Sequence, residues 1–180
     1  MDYRKKIAKR ISFDDIMEVL YAVQHSDTEK EKLYRLIFDE DKKVVRNALW
    51  IMGHFSLGEN EWLYVKHHEL INEAMSVSDD AARRLLLTLL ERQPFSASDI
   101  RTDFFDFCMK HAMMVLEPVS VKVLCLKLAF AMSVHFRELR DELRSELEIM
   151  SDELLAPSVR CCRRNLLKRM NSYDKNNNTI

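Results

Sequence analysis

Glycine and proline are scarce: two glycines and three prolines in 180 residues. Sheets, tight hairpins and phosphate-cradling loops draw on glycine for left-handed turns and close backbone approach. Their shortage favours helices joined by short polar connections. No G-x-S-x-G, H-E-x-x-H or Gly-rich phosphate loop occurs, so no hydrolase, metalloprotease or nucleotide signature is present. His67-His68-Glu69 is no metal pattern, because adjacent helical residues point about 100° apart. No catalytic residue, metal ligand or cofactor site is therefore assigned.

Charge of one sign is also missing. Lys and Arg number 28 against 29 Asp and Glu, a net charge of −1, so nothing draws the chain as a whole to nucleic acid or an anionic membrane. The most apolar stretch, Val119 to Val134, is interrupted by Lys122 and Lys127 and is shorter than the ~20 residues of a spanning helix. It reads as a core helix. Met1 to Lys6 leads into no apolar signal core. The four cysteines, Cys108, Cys125, Cys161 and Cys162, form no C-x-x-C pair and read as reduced thiols of a cytoplasmic protein. Cys108 and Cys125 lie in apolar helical stripes. Nearby arginines could activate Cys161, but Cys162 falls on a buried seam and the pair is read as inert.

What the chain does contain is a repeated phrase, a small apolar residue followed by a base. It reads Val45-Arg46, Ala82-Arg83, Val121-Lys122 and Val159-Arg160, at intervals of 37, 39 and 38 residues (82−45, 121−82, 159−121). Counting the apolar residue as zero, positions +3 and +7 are Ala48 and Met52, Leu85 and Leu89, Leu124 and Leu128, Cys162 and Leu166. Those offsets share one stripe of a 3.6-residue helix, so each unit carries the same seam, which only stacking can bury. Position +4 is Leu49, Leu86, Cys125 and then Arg163, the polar turn expected of a terminal unit.

Capping signals fill in the remainder. Ser12 starts a helix to Gln24, and Ser26-x-x-Glu29 starts one to Phe38. Lys42 to Phe55, Asn60 to Met75 and Asp80 to Gln93 follow, the last capped by Ser78-Asp79. Ser98 is expected to cap the next helix, Pro118 and Pro157 to occupy first helical positions, and Phe136 to Met150 to bury one stripe. The total is about ten helices in five consecutive hairpins, forming a single domain over 1–171 with a disordered polar tail over 172–180.

With Asp41-x-x-x-Val45-Arg46-x-Ala48 and Gly53 closing the helix, the pattern resembles the HEAT/armadillo class of helical repeats, over about residues 26 to 170. The resemblance implies an all-α, right-handed α-solenoid of about five antiparallel helical hairpins. It also implies that second helices line a concave binding face and that Arg46, Arg83, Lys122 and Arg160 form a structural ladder to acids or helix ends of neighbouring repeats. The other reading of that column is a row of cations for an acidic partner.

Positions +2 and +6 of the second helices supply the candidate binding surface: Asn47, Arg84, Thr88, Lys127 and Asn165, with Arg164 and Lys168 extending its basic end. Ile51 and Val123 share those positions. The leading expectation is a non-enzymatic protein- or peptide-binding scaffold. The alternative is a nucleic-acid-binding or DNA-repair protein of the HEAT-like glycosylase kind, using the basic ends and a concave Trp50, although Trp50 is read as core. Fumarase/aspartase-type lyases are set aside, since the chain has no Ser-Ser or Met-Pro and is too short for that fold. Nothing in the sequence requires a homodimer.

Overall fold

The computed structural model describes residues 1–177, with side chains to residue 174. Among the described residues there is no strand. The α-helices are α1 (Tyr3–Ile7), α2 (Phe13–Val23), α3 (Asp27–Tyr34), α4 (Lys42–Met52), α5 (Leu57–Glu61), α6 (His67–Ser76), α7 (Asp80–Glu91), α8 (Thr102–Met113), α9 (Val119–Ser133), α10 (Arg137–Ile149) and α11 (Pro157–Asn177). They divide into two compact units, Met1–Gln93 and Pro94–Ile180.

In the first unit α4 packs against α1, α2 and α3 and, on its other side, against α7, which pairs with α6. In the second unit α9 is central, touching α8, α10 and α11, and α10 pairs with α11. Second helices thus lie side by side within each unit, each backed by its own first helix. The zero positions Val45, Ala82, Val121 and Val159 are all buried, as are Met52, Leu89, Leu128 and Leu166 at +7. At 25 cal/mol per Å² of apolar surface, burying one such leucine contributes about 2 kcal/mol before chain entropy is counted.

Local chemistry sets the boundaries. Ser12 and Asp15 form a reciprocal capping box on α2, and Ser56 and Glu59 form another on α5. That second box explains why the expected helix from 60 to 75 is broken. A five-residue helix starts early at Leu57, and a 3-10 turn over Tyr64–Lys66 then leads into α6. Ser98 caps no α-helix; its hydroxyl pairs with Ser96 at 2.8 Å, and α8 begins only at Thr102. Pro118 stands one place earlier than expected, as the N-cap of α9, whereas Pro157 opens α11.

Residues 172–177 are not the disordered tail that their polarity suggested. α11 continues through them because the Tyr173 hydroxyl donates to the Val134 carbonyl at 3.0 Å. The Asp174 carboxylate meets Arg140 at 3.2 Å and Arg144 at 2.5 Å. Residues 178–180 lie outside the described residues.

Candidate functional site

The basic column is built differently in its first member and the others. The Arg46 guanidinium, on α4, grips the Asp79 carboxylate with both prongs, Nε at 2.9 Å from Oδ1. Asp79 is also the N-cap of α7, accepting from the Ala82 amide at 2.8 Å. Arg46 holds the Asp79 carboxyl down at about 2, aided by the Ala82 amide and opposed by partial burial. This is the inter-repeat rung that the ladder requires.

The other three bases turn back within their own hairpins. Arg83 donates through Nη2 to the Val77 carbonyl and through Nε to that of Ala74, where α6 ends. Lys122 Nζ donates to the Val115 carbonyl at 3.3 Å, and Arg160 Nη2 to that of Leu155 at 3.2 Å. Each base satisfies a carbonyl five to seven residues earlier, at the negative end of the preceding helical segment. The expected four-rung ladder is therefore one rung and three turn clasps.

The expected binding residues do not form one surface. Asn47 is committed inward, its amide donating to the carbonyls of Ile7 at 2.8 Å and Lys9 at 3.0 Å, where α1 ends. Thr88 is half-buried and donates to the Arg84 carbonyl at 2.8 Å. Ile51 is fully buried. Arg84 and Lys127 are exposed on α7 and α9. Arg164 pairs with Asp152 at 2.6 Å, and Asn165 donates to the Cys161 sulfur at 3.6 Å. Arg164 and Lys168 do come together, one turn apart beside a shallow depression on α11.

Trp50 is not core. It is 40% exposed, edge-on to His54 with ring centroids 5.9 Å apart, and Phe13 meets the same histidine at 6.3 Å. The flanking residues Leu49 and Ile51 carry the buried stripe and leave Trp50 on the Arg46 side of α4. Two bases of the N-terminal segment are paired with carboxylates, Arg4 with Asp39 at 2.7 Å and Lys6 with Glu18 at 2.6 Å. Cys108, Cys125 and Cys162 are buried and Cys161 is exposed. Burial, and then the Cys125 neighbour, pushes the Cys108 thiol up. Among the described residues no cluster of three or more His, Cys, Asp or Glu could hold a metal, and no helix is long and apolar enough to cross a membrane.

Two grooves open at the same place in the repeat, between consecutive turns and above the second helices. The first, about 290 Å³, has Ile37, Phe38, Val45 and Val77 for its floor and Asp39, Glu40, Glu73 and Asp79 among its walls. Desolvation, with Glu69 adding to it, raises Glu73 above the ordinary carboxylate range. The second, about 490 Å³, is lined by Val115, Val119, Lys122, Met150, Leu154 and Leu155 among others. Its lip is bare: Val115 is 88%, Leu116 94% and Leu154 87% exposed. Sequence reasoning missed this lip, although the signal was present as apolar residues stranded in turns just before Pro118 and Pro157.

These features define a class: antiparallel helical hairpins repeated along the chain, with equivalent seams and equivalent turns. The chain belongs to the HEAT repeat domain family, whose model matches residues 3–170, and its fold is an all-α helical-repeat solenoid. Repeat domains of this family commonly mediate protein interactions and are typically non-enzymatic. No curated protein and no solved structure gives a significant match.

Proposed function

We propose that the chain is a non-enzymatic scaffold that binds protein or peptide segments on surfaces of its helical repeats. The observation that carries this reading is the exposure of apolar side chains at the turn edge of the second unit, where Val115, Leu116 and Leu154 have no packing role. Exposed apolar surface of this kind marks interaction sites. The family membership supports the same class of function. The nucleic-acid alternative finds less support, because Arg4, Lys6, Arg46 and Arg164 already have carboxylate partners. Phosphate binding would have to displace those carboxylates.

The test is photo-crosslinking of the full chain in its native lysate, with the photoreactive residue at Leu154 or, separately, at Arg84. Discrete protein adducts that persist after nuclease treatment are expected. Adducts only to nucleic acid, abolished by 0.5 M salt, would replace this reading with the alternative.

A further inference from the structure

The second-unit groove has a composition that specifies its occupant. Among the described residues that line it, Lys122 is the one charged side chain, and the remainder are apolar apart from Ser151. Lys122 donates to the Val115 carbonyl at 3.3 Å, which uses one of the three donors of its ammonium. Arg160, the base of the next repeated phrase, donates to the carbonyl of Leu155, itself a lining residue, and its buried Nε has no partner. Asp152 at the rim is already neutralised by Arg163 at 3.0 Å and Arg164 at 2.6 Å. Glu153, exposed beside Leu154, is the opposing charge. An apolar trough with a single ammonium in its lining accepts apolar side chains flanked by a carboxylate.

The corresponding groove of the first unit has a different charge. Of its acids Asp39 is paired with Arg4 and Asp79 with Arg46, which leaves Glu40 and Glu73 against Lys42. An acidic segment is repelled there and attracted by the second groove, so the two grooves discriminate by charge as well as by shape. Size argues against a second copy as the occupant. The exposed apolar surface of Val115, Leu116, Val119 and Leu154 is on the order of 500 Å². A stable dimer buries about 800 Å² per partner, whereas a few turns of amphipathic helix laid in a groove need no more than this patch.

We propose that the groove formed by the α8–α9 and α10–α11 turns docks a short acidic amphipathic segment of a partner protein, with apolar side chains against Val115, Leu154 and Leu155 and a carboxylate on Lys122. This rests on the scaffold reading and narrows it to one groove and one partner chemistry.

The full chain is titrated into three fluorescein-labelled twelve-residue peptides: one with Leu at helical spacing and Glu elsewhere, one with Lys in place of each Glu, and one scrambled acidic peptide. Fluorescence anisotropy is expected to show the acidic amphipathic peptide binding at least tenfold more tightly than the other two. Leu154→Glu is expected to lose at least tenfold, Lys122→Gln about threefold, and Lys122→Glu to reverse the preference toward the basic peptide. Unchanged circular dichroism and thermal midpoint confirm that each variant is folded; Val115→Ser replaces any variant that is not. An unchanged preference in Lys122→Glu, equal binding of the scrambled peptide, competition by an oligonucleotide, or a dimer that disappears with Leu154→Glu in sedimentation overturns the proposal. If the peptides fail while crosslinks to proteins form at Arg84, the groove is wrong and the scaffold stands. If both fail, the scaffold reading falls as well.

Discussion

The Arg46–Asp79 rung offers the sharpest test of the physical account, because one carboxylate does two separable jobs. It caps α7 through the Ala82 amide and ties α7 to α4 through the Arg46 guanidinium. Loss of an N-cap costs about 1 kcal/mol. The ion pair adds less: Arg46 is 47% exposed, which places the pair near the surface value of about 0.5 kcal/mol. Asp79→Ala should therefore cost about 1.5 kcal/mol, a shift of roughly 1 M in the urea midpoint for a slope near 1.5 kcal/mol per molar. Asp79→Asn keeps an acceptor for Ala82 and should cost only about 0.5 kcal/mol, the ion-pair part. Arg46→Ala should match it, and the double mutant Arg46→Ala/Asp79→Ala should show a coupling of about 0.5 kcal/mol.

Acid supplies an independent arm. The folded-state pKa of Asp79 lies at about 2, below its ordinary value of 3.8. A depressed carboxyl stabilises the fold fully above its unfolded pKa and loses that contribution as pH falls through the folded one. The stability gap between wild type and Asp79→Asn should stay constant above about pH 5, narrow as pH falls toward the folded value of about 2, and close only near pH 1. Far-ultraviolet circular dichroism with urea at stepped pH measures both quantities. The reasoning is refuted if Asp79→Ala and Arg46→Ala cost the same at pH 7, or if the gap is as large near about pH 1 as at pH 7.

Two further outcomes concern the arginine that closes α4 and the exposed thiol of α11. Arg92 donates to the carbonyls of Gly53 at 2.7 Å and Phe55 at 2.6 Å, closing the end of α4; Arg92→Ala should cost about 2 kcal/mol in urea unfolding, and Arg92→Lys should recover only part because a point charge cannot span both acceptors. With Cys161 exposed and the other three cysteines buried, native protein should give one fast-reacting thiol toward a disulfide reagent, a count that Cys161→Ser abolishes, and the others should react only on unfolding.

The seam was legible because it depends on spacing alone: apolar residues at zero and +7 bury wherever helices stack, and Val45, Ala82, Val121 and Val159 all do so. The caps at Ser12 and Asp79 were legible because a side chain bonds within three residues of itself. The surface was not, because it depends on contacts between elements. Asn47 looked free on its helix until α1 ended against it. Trp50 looked like core because aromatic residues usually are. The polar stretch over 172–177 looked like a tail until Tyr173 and Asp174 found Val134, Arg140 and Arg144, partners 30 or more residues away.

The same long-range logic explains why the basic column splits. A rung needs an acid placed at the N-cap of the next second helix, as Asp79 is for Arg46. In the second unit no acid holds that position. For Lys122 it is the turn before α11, where Asp152 is taken by Arg163 and Arg164, and Arg160 stands on α11, after which no further second helix is described. Lys122 and Arg160 are left to the nearest acceptors, the carbonyls of Val115 and Leu155. Those carbonyls belong to the turns whose apolar side chains form the groove. Losing the ladder in this unit thus leaves the Lys122 ammonium in the lining of an apolar trough, and under the docking proposal a repeat position that elsewhere joins helices selects a partner's charge.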